Sequence, residues 1–336
     1  MPPKTSSTAA KVSRRDPLAE RLNAISALRR EPEGPELLAK LRAALADPQN
    51  LMVARAAKVA GELSLSTLEA ELAAAFERVM ADPFRLDKGC AASKAIVEAL
   101  LRLGADRPAL FRRGLRHVQP EPAYGGPVDV AIELRANCAV GLTGGSHAEV
   151  VIELVPLLVD RAEMVRATAA RSIAAAARVD SEAVLRLKAL VGDEDPDVVA
   201  ECLGGLMRLA PERSFDLVEE FLGRRGELQL RKAAMLALGE ARHPRAVARL
   251  CELWPTEFDR DSRRVLLLAL ATSRREEAFD FLADLVEGGD LGSAVLALDA
   301  LELFPQDARQ RQRLAAAMLA SRYACDLRRR LPDAAG

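Results

Sequence analysis

The sequence predicts an all-α protein, a right-handed α-solenoid (superhelix) of about eight helical hairpins with a capping helix at each end. Half of the residues are hydrophobic but only 4% are aromatic, a composition that suits close packing of helices better than a β-sandwich. Residues 160–177 show the helical pattern most clearly, because Val165, Ala169, Ile173 and Ala176 fall on one face at helical spacing. Similar phrases return along the chain, which indicates a repeat.

The repeat has a period of about 32 residues, although its first intervals are longer. One anchor per repeat can be placed at Ala54, Ala92, Arg135, Arg166, Val199, Arg231, Arg263 and Ala294. A small residue follows three positions later at Ala57, Ala95, Cys138, Ala169, Cys202, Ala234 and Ala297, while the seventh repeat departs from this rule with Leu266. We therefore expect Ala169 and Ala234 to lie at helix contacts too tight for a larger side chain.

The elements are expected in the following order. Residues 1–15 have basic side chains and no acidic ones, which predicts a disordered basic tail. Residues 16–330 are predicted to form a single solenoid domain, and residues 331–336 a disordered C-terminus. A first helix spans 16–30, with Pro at its first helical position, and a closing helix spans 307–330. The helix pairs between them are 36–46 with 51–63, 67–81 with 87–103, 107–118 with 128–142, 147–159 with 163–177, 181–191 with 197–209, 212–222 with 227–240, 243–254 with 259–272 and 275–286 with 291–303. No sheet is expected.

Residues 36–304 resemble HEAT repeats. The phrases that carry the resemblance are DPQNLMVARAAKVAGEL from Asp47, DRAEMVRATAARSIAAAA from Asp160 and DEDPDVVAECLGGLMRL from Asp193. HEAT repeats are similar in having an Asp-bearing turn, then a Val, often an Arg, and an Ala-rich second helix. The resemblance implies stacked hairpins with a concave surface lined by second helices, and it implies no single activity because such arrays mostly work as scaffolds.

Composition argues against several classes of partner. The chain has 48 basic and 49 acidic residues, and a net charge of -1 gives no global field that would attract nucleic acid or an anionic membrane. No stretch approaches the roughly 18 apolar residues of a membrane span, and the N-terminus lacks the apolar segment of a secretory signal. Five cysteines without a CxxC pair indicate reduced, buried thiols. We therefore expect a cytoplasmic protein.

No residue pattern indicates catalysis or a cofactor. His117, His147 and His243 form no HExxH motif, and the repeated His-Glu pairs with which a HEAT-repeat hydroxylase holds iron are absent. The glycine pairs at 125–126 and 144–145 are not followed by the Lys-Ser/Thr of a phosphate-binding loop. We therefore expect no catalytic residues, no metal and no cofactor.

The longest interruption of the period predicts the working surface. It is the loop QPEPAYGGP over 119–127, which carries one of only two tyrosines. A second interruption, PFRLDKGC over 83–90, lies one repeat earlier, so the two insertions are expected to be neighbours on one face. The candidate partner-binding residues are Tyr124, Asp129, Glu133, Lys88, Asp87, Arg116, His117 and Glu121. Asp129 and Glu133 are expected to share a helix face, whereas Arg135 is expected to hold the stack. The alternative is a loop that only packs on its own repeat.

Three functional hypotheses follow. The first is a non-catalytic scaffold or adaptor that binds another protein through its concave face and the loop of the third repeat. The alternative is a nucleic-acid-binding protein similar to the solenoid DNA glycosylases, with a local basic stripe formed by Arg112, Arg113, Arg116 and Arg135. The third is a HEAT-like lyase or chromophore-binding protein, for which the sequence carries no distinctive motif.

Overall fold

The computed structural model describes residues 17–145, 147–224 and 226–328. Residue contacts divide the chain into two compact units, Met1–His147 and Ala148–Gly336. The predicted tails at 1–15 and 331–336 lie outside the described residues. The single domain expected over 16–330 stays a prediction, and each unit is described by itself.

The first unit holds the first three repeats. A short helix α1 (Pro17–Ala27) continues into a 3-10 turn (Leu28–Arg30). The repeats that follow are α2 (Pro35–Leu45) with α3 (Asn50–Glu62), α4 (Glu69–Val79) with α6 (Ala91–Arg102), and α7 (Pro108–Leu115) with α8 (Ile132–Leu142). The additional elements are a 3-10 turn at Ser66–Leu68, the short helix α5 (Pro83–Leu86), a 3-10 turn at Lys88–Cys90, and the strands β1 (Pro120–Glu121) and β2 (Val128–Asp129). The second helices α3, α6 and α8 pack on one another in sequence.

The second unit continues the pattern with five repeats. They are α9 (Val150–Leu154) and a 3-10 segment (Val155–Val159) with α10 (Glu163–Ala176), α11 (Ser181–Val191) with α12 (Pro196–Leu209), α13 (Pro211–Leu222) with α14 (Leu228–Glu240), α15 (Pro244–Leu253) with α16 (Arg260–Ser273), and α17 (Glu276–Gly288) with α18 (Leu291–Glu302). A 3-10 turn at Trp254–Thr256 follows α15, and α19 (Ala308–Ala320) and α20 (Ala324–Arg328) close the described chain. Helices α10, α12, α14, α16 and α18 form one continuous row of contacts. The predicted all-α solenoid of helical hairpins is confirmed.

Local sequence explains where many helices begin. Pro occupies the first turn of α2, α7, α12, α13 and α15, where its missing N–H costs nothing and its fixed φ is already helical. The carboxylates of Asp195, Asp259, Asp290 and Asp307 accept a backbone N–H in the first turn of the following helix. These caps stabilise helix starts at each turn of the array.

The anchors of the second helices pack nearly as the period predicts. Ala169 and Ala234 are completely buried, as expected, and Leu266 is buried at the position where the seventh repeat breaks the small-residue rule. Ala95 is only half-buried, because α6 turns Ala92 and Ile96 into the core instead. In the second repeat, where the insertion precedes the helix, the buried position is therefore one residue away from the position that the repeat alignment predicts.

The third repeat corrects two expectations. A small sheet is present, because β1 and β2 pair antiparallel with Pro120 opposite Asp129 and Glu121 opposite Val128. The loop is thus a β-hairpin rather than irregular chain. Asp129 lies in β2 and not on α8, which begins at Ile132, so the expectation that Asp129 and Glu133 share a helix face is wrong.

Candidate functional site

The two insertions of the first unit are joined by hydrogen bonds. The backbone N–H of Gly89 donates to Oε1 of Glu121 at 2.8 Å, and Nε2 of Gln119 donates to the carbonyl of Asp87 at 3.0 Å. The prediction that the insertions are neighbours is confirmed. The segment 83–90 therefore forms a support on which the hairpin 119–130 rests.

Gln119 is at the centre of the contact between the hairpin and this support, and it is completely buried. Its Nε2 also donates to Glu121 at 2.7 Å, and its Oε1 lies 2.8 Å from Nε2 of His117 and 3.3 Å from Sγ of Cys90. Its carbonyl accepts the N–H of Val130 at 3.0 Å. Sequence reasoning missed this residue, since a Gln before a Pro at the edge of a polar loop carries no signal of burial. A buried amide with all these partners rigidifies what surrounds it.

Asp87 lies beneath the surface. Its carboxylate is completely buried and accepts the backbone N–H groups of Ala92 and Ser93, each at 2.8 Å. It thereby caps the first turn of α6 after Gly89 and Cys90, which both adopt positive φ, 69° and 50°. These bonds hold Asp87 away from solvent, so its carboxylate contributes to the support and not to an exposed surface.

Asp129 ties the hairpin to α8. Its Oδ1 accepts the N–H groups of Gln119 and Ala131, each at 3.0 Å, and its Oδ2 accepts from Arg135 at 2.7 Å. Burial raises the pKa of Asp129, but these hydrogen bonds and the Arg135 charge outweigh it and lower the pKa below its usual range. Arg135 is itself buried and donates to the carbonyl of His117 at 3.0 Å.

The other two acidic candidates are also engaged. The N–H of Gly89 and the amide of Gln119 lower the pKa of Glu121, so it is an anion that is held in place. Glu133 is exposed and forms an ion pair with Lys94 at 3.2 Å. The carboxylates that the sequence singled out are thus occupied within the first unit.

What the hairpin exposes is mainly apolar and aromatic. Tyr124 stands at its tip and is fully exposed, at 110% of the reference value. Val118 and Val128 on its flanks and Phe84 on the support are more than half exposed, and the Phe84 ring contacts His117 edge-on at 6.5 Å. We call this surface the hairpin face and define it by Phe84, Val118, Tyr124 and Val128. Lys88 and Arg116 are exposed beside it.

Other chemistry finds little support in the described part of the chain. No group of three or more His, Cys, Asp or Glu residues could hold a metal ion there. Burial raises the pKa of the thiols of Cys90 and Cys202 to about 12 and that of Cys251 to about 11, so they are protonated at neutral pH and poorly nucleophilic. Cys325 is exposed and Cys251 is only partly buried, so the expectation that every cysteine is buried is wrong for these two.

Two of the four arginines of the suggested basic stripe form ion pairs within the first unit. Arg113 pairs with Glu77 and donates to the carbonyl of Met80 at 2.6 Å, and Arg135 is buried against Asp129. Phosphate binding requires accessible cations, so the buried Arg135 does not add to such a stripe, whereas Arg113 is exposed but paired. None of the described helices is long and apolar enough to cross a membrane.

Comparison with known proteins adds the following. A family model described as HEAT repeats matches residues 185–271. Among curated protein sequences, none matches the chain. Two of the solved structures that match have 18% sequence identity to this chain. The complex of CpcE and CpcF of phycocyanin lyase from Nostoc sp. PCC7120 has a TM-score of 0.39, and the match covers 87% of this chain and 96% of that chain. Human deoxyhypusine hydroxylase in complex with glycerol has a TM-score of 0.29, and the match covers 86% of this chain and 92% of that chain. Likenesses at these scores say nothing about activity.

Proposed function

We propose that this α-solenoid, of which residues 185–271 match a model of HEAT repeats, is a non-catalytic scaffold that binds another protein through the hairpin face of its third repeat. The observation that carries the proposal is a fully exposed Tyr124 on a hairpin held from below by the buried Gln119. Surface loops often carry function when a rigid framework positions them.

Pre-organisation is the first supporting argument. Binding through a flexible loop costs conformational entropy, about 0.5–1.5 kcal/mol for each side chain that must be immobilised. Here the hairpin is fixed at its base by Asp129, which contacts both of its ends and α8. The positive φ angles of Gly125 and Gly126, 95° and 126°, form the tight turn next to Tyr124. A partner would meet a hairpin that is already ordered.

The chemistry of the hairpin face is the second supporting argument. Tyr is enriched among the residues that dominate interface energies, and such anchors are surrounded by contacts that exclude water. Val118, Val128 and Phe84 supply apolar surface around it. Since Asp129 and Glu121 are held internally, direct contacts with a partner fall to this apolar set and to the neighbouring cations Lys88 and Arg116.

The experiment is affinity capture from a lysate of the source cells, with the full-length chain as bait and mass spectrometry as readout. Wild type, Tyr124→Ala and Phe258→Ala are compared, since Phe258 is a strongly exposed aromatic residue of the second unit. We expect a captured protein whose affinity, measured afterwards with the purified pair, falls at least about fivefold in Tyr124→Ala, equal to roughly 1 kcal/mol. Phe258→Ala should bind like wild type.

Two outcomes contradict the proposal. If Tyr124→Ala binds as well as wild type, the hairpin face is not the contact surface. If nuclease treatment of the lysate abolishes capture, the protein binds nucleic acid, the alternative hypothesis, and the captured proteins are only carried along.

A further inference from the structure

The exposed faces of the first helices differ along the second unit. In its later repeats these faces are charged and cross-linked: Arg245 on α15 pairs with Asp216 on α13 at 2.8 Å, and Arg249 pairs with Glu219 on the same two helices at 2.6 Å. Arg213 on α13 likewise pairs with Glu182 on α11. First helices of successive repeats are therefore neighbours, and solvated ion pairs cover the exposed side of the row.

Beside the ion pairs of Glu182, the first two repeats of the second unit expose a second kind of surface. Helix α9 with its 3-10 continuation, and helix α11, expose six large aliphatic side chains to between 39% and 78% of their reference values. We call them the aliphatic patch, and its members are Ile152, Val155, Val159, Leu187, Leu190 and Val191. Since first helices of successive repeats are neighbours, these side chains fall on adjoining helices. An exposed apolar patch of a few hundred Å² is often functional.

Two cations of α11 beside the patch are already paired. Lys188 on α11 binds the buried Asp193 at 2.7 Å. Arg186 points towards α13, where it donates to the carbonyl of Arg213 at 2.8 Å, and it also pairs with Glu182 at 3.4 Å. These two cations are therefore engaged within the chain and do not favour an acidic partner.

We propose that the aliphatic patch is the interface of a homodimer, with a second copy of this chain as its occupant. The apolar area of the patch is close to what a dimer interface needs. A fully exposed aliphatic side chain has roughly 100 Å² of surface, so the six partly exposed side chains together leave roughly 400 Å² of apolar surface in contact with water. A standard interface buries about 800 Å² per partner, a little over half of it apolar. The net charge of -1 sets almost no repulsion against self-association.

Symmetry fits the same conclusion. A twofold axis brings an identical patch onto itself, so one apolar surface supplies both halves of the interface. Two helices from each copy would then pack face to face, in the way helices pack within a bundle. This inference is independent of the hairpin face, which lies in the first unit.

The test is sedimentation velocity of the full chain across a concentration range up to about 100 μM. We expect twice the monomer mass at the upper end. Leu187→Asp on α11 and Ile152→Asp on α9 should each raise the dimer dissociation constant at least tenfold, because each places a charge in the buried interface. Leu319→Asp is the matched control: Leu319 is a similarly exposed leucine on α19, and its variant should dimerise like wild type.

The fold of each variant is checked by its circular-dichroism spectrum, which should not change because the substituted side chains are exposed in the single chain. A wild-type chain that stays monomeric at all concentrations overturns the proposal. So does a dimer that survives both patch substitutions, since the second copy would then bind elsewhere.

Discussion

Arg135 in the third repeat and Arg166 in the fourth occupy the same position of their second helices but stabilise different things. Both donate to a carbonyl in the turn before their own helix, Arg135 to His117 at 3.0 Å and Arg166 to Asp160 at 2.9 Å. Arg166 then binds both carboxylate oxygens of Asp193, in the turn of the following repeat, at 2.8 and 2.9 Å. Arg135 binds Asp129, in the hairpin of its own repeat, at 2.7 Å.

The difference shows how a repeat accepts an insertion. A buried guanidinium needs a carboxylate partner because an unpaired buried charge is costly. In the regular repeat the turn of the next hairpin supplies it, and the bond joins repeats. In the third repeat β2 supplies one, and the bond fixes the insertion to α8. Substitutions that remove either carboxylate separate the two roles.

The largest effect is expected for Asp193→Asn. Asp193 is buried and pairs with Arg166 and Lys188, both mostly buried themselves. The substitution removes the negative charge that both cations share, so two mostly buried positive charges lose their partner. This should lower the free energy of unfolding by about 3–5 kcal/mol. Urea denaturation provides the measurement. Glu240→Gln, which removes the exposed pair with Arg208, is the control and should cost at most about 1 kcal/mol; equal costs in both variants would contradict the contribution assigned to the buried cluster.

The same cluster predicts a pH dependence. Burial raises the pKa of Asp193, but Arg166, Lys188 and the N–H of Asp195 outweigh it, so its folded-state pKa is lowered below the unfolded value of about 3.9. The stabilisation is therefore present in full above that unfolded value and is lost as the pH falls through the lowered pKa. Urea midpoints of wild type and Asp193→Asn should differ most near neutral pH and converge in acid; a constant difference would exclude the titration of Asp193 as its cause.

Ala169→Leu should have the next largest effect. Ala169 is completely buried in α10, and the added methyl groups force neighbouring helices apart, at about 1–3 kcal/mol. Ala95→Leu, at the half-buried position of the second repeat, should change the stability by less than about 0.5 kcal/mol. Thermal melts of both variants check the pair. An unchanged melting temperature in Ala169→Leu would mean that the contact relaxes without cost.

Asp129→Asn should have an effect of similar size that is more local. Asn can still accept one backbone N–H but loses the charge that pairs with Arg135, at about 1–3 kcal/mol. Because the bond fixes the hairpin and not the next repeat, limited proteolysis should cut the variant near 122–127 faster than wild type. Protection equal to wild type would show that Gln119 alone holds the hairpin.

The smallest effect on stability is expected for Tyr124→Ala. A fully exposed side chain leaves no cavity and no unpaired group, so the free energy of unfolding should change by less than about 0.5 kcal/mol. A clear drop in the melting temperature would mean that the tip packs against the rest of the unit, which is the structural alternative to the proposed anchor.

Much of the array could be read from local pattern alone. Helix identity, the period and the buried anchors at Ala169 and Ala234 depend on the spacing of apolar residues within one helix, which is visible along the chain. The family match over 185–271 lies where the interval is most regular. Ala95 shows the limit, because the period placed it in the core whereas α6 buries Ala92 and Ile96 instead.

The hairpin face depended on bonds that no local pattern contains. Gly89 and Glu121 lie 32 positions apart, and Gln119 is buried only because the insertion 83–90 covers it. The sequence alone predicted which insertions were unusual, that they were neighbours, and that Tyr124 belonged to them. Only the tertiary structure decided that the carboxylates of Asp87, Glu121 and Asp129 bind donors of their own chain. A carboxylate is available to a partner only where the fold brings no donor of the same chain within hydrogen-bonding distance.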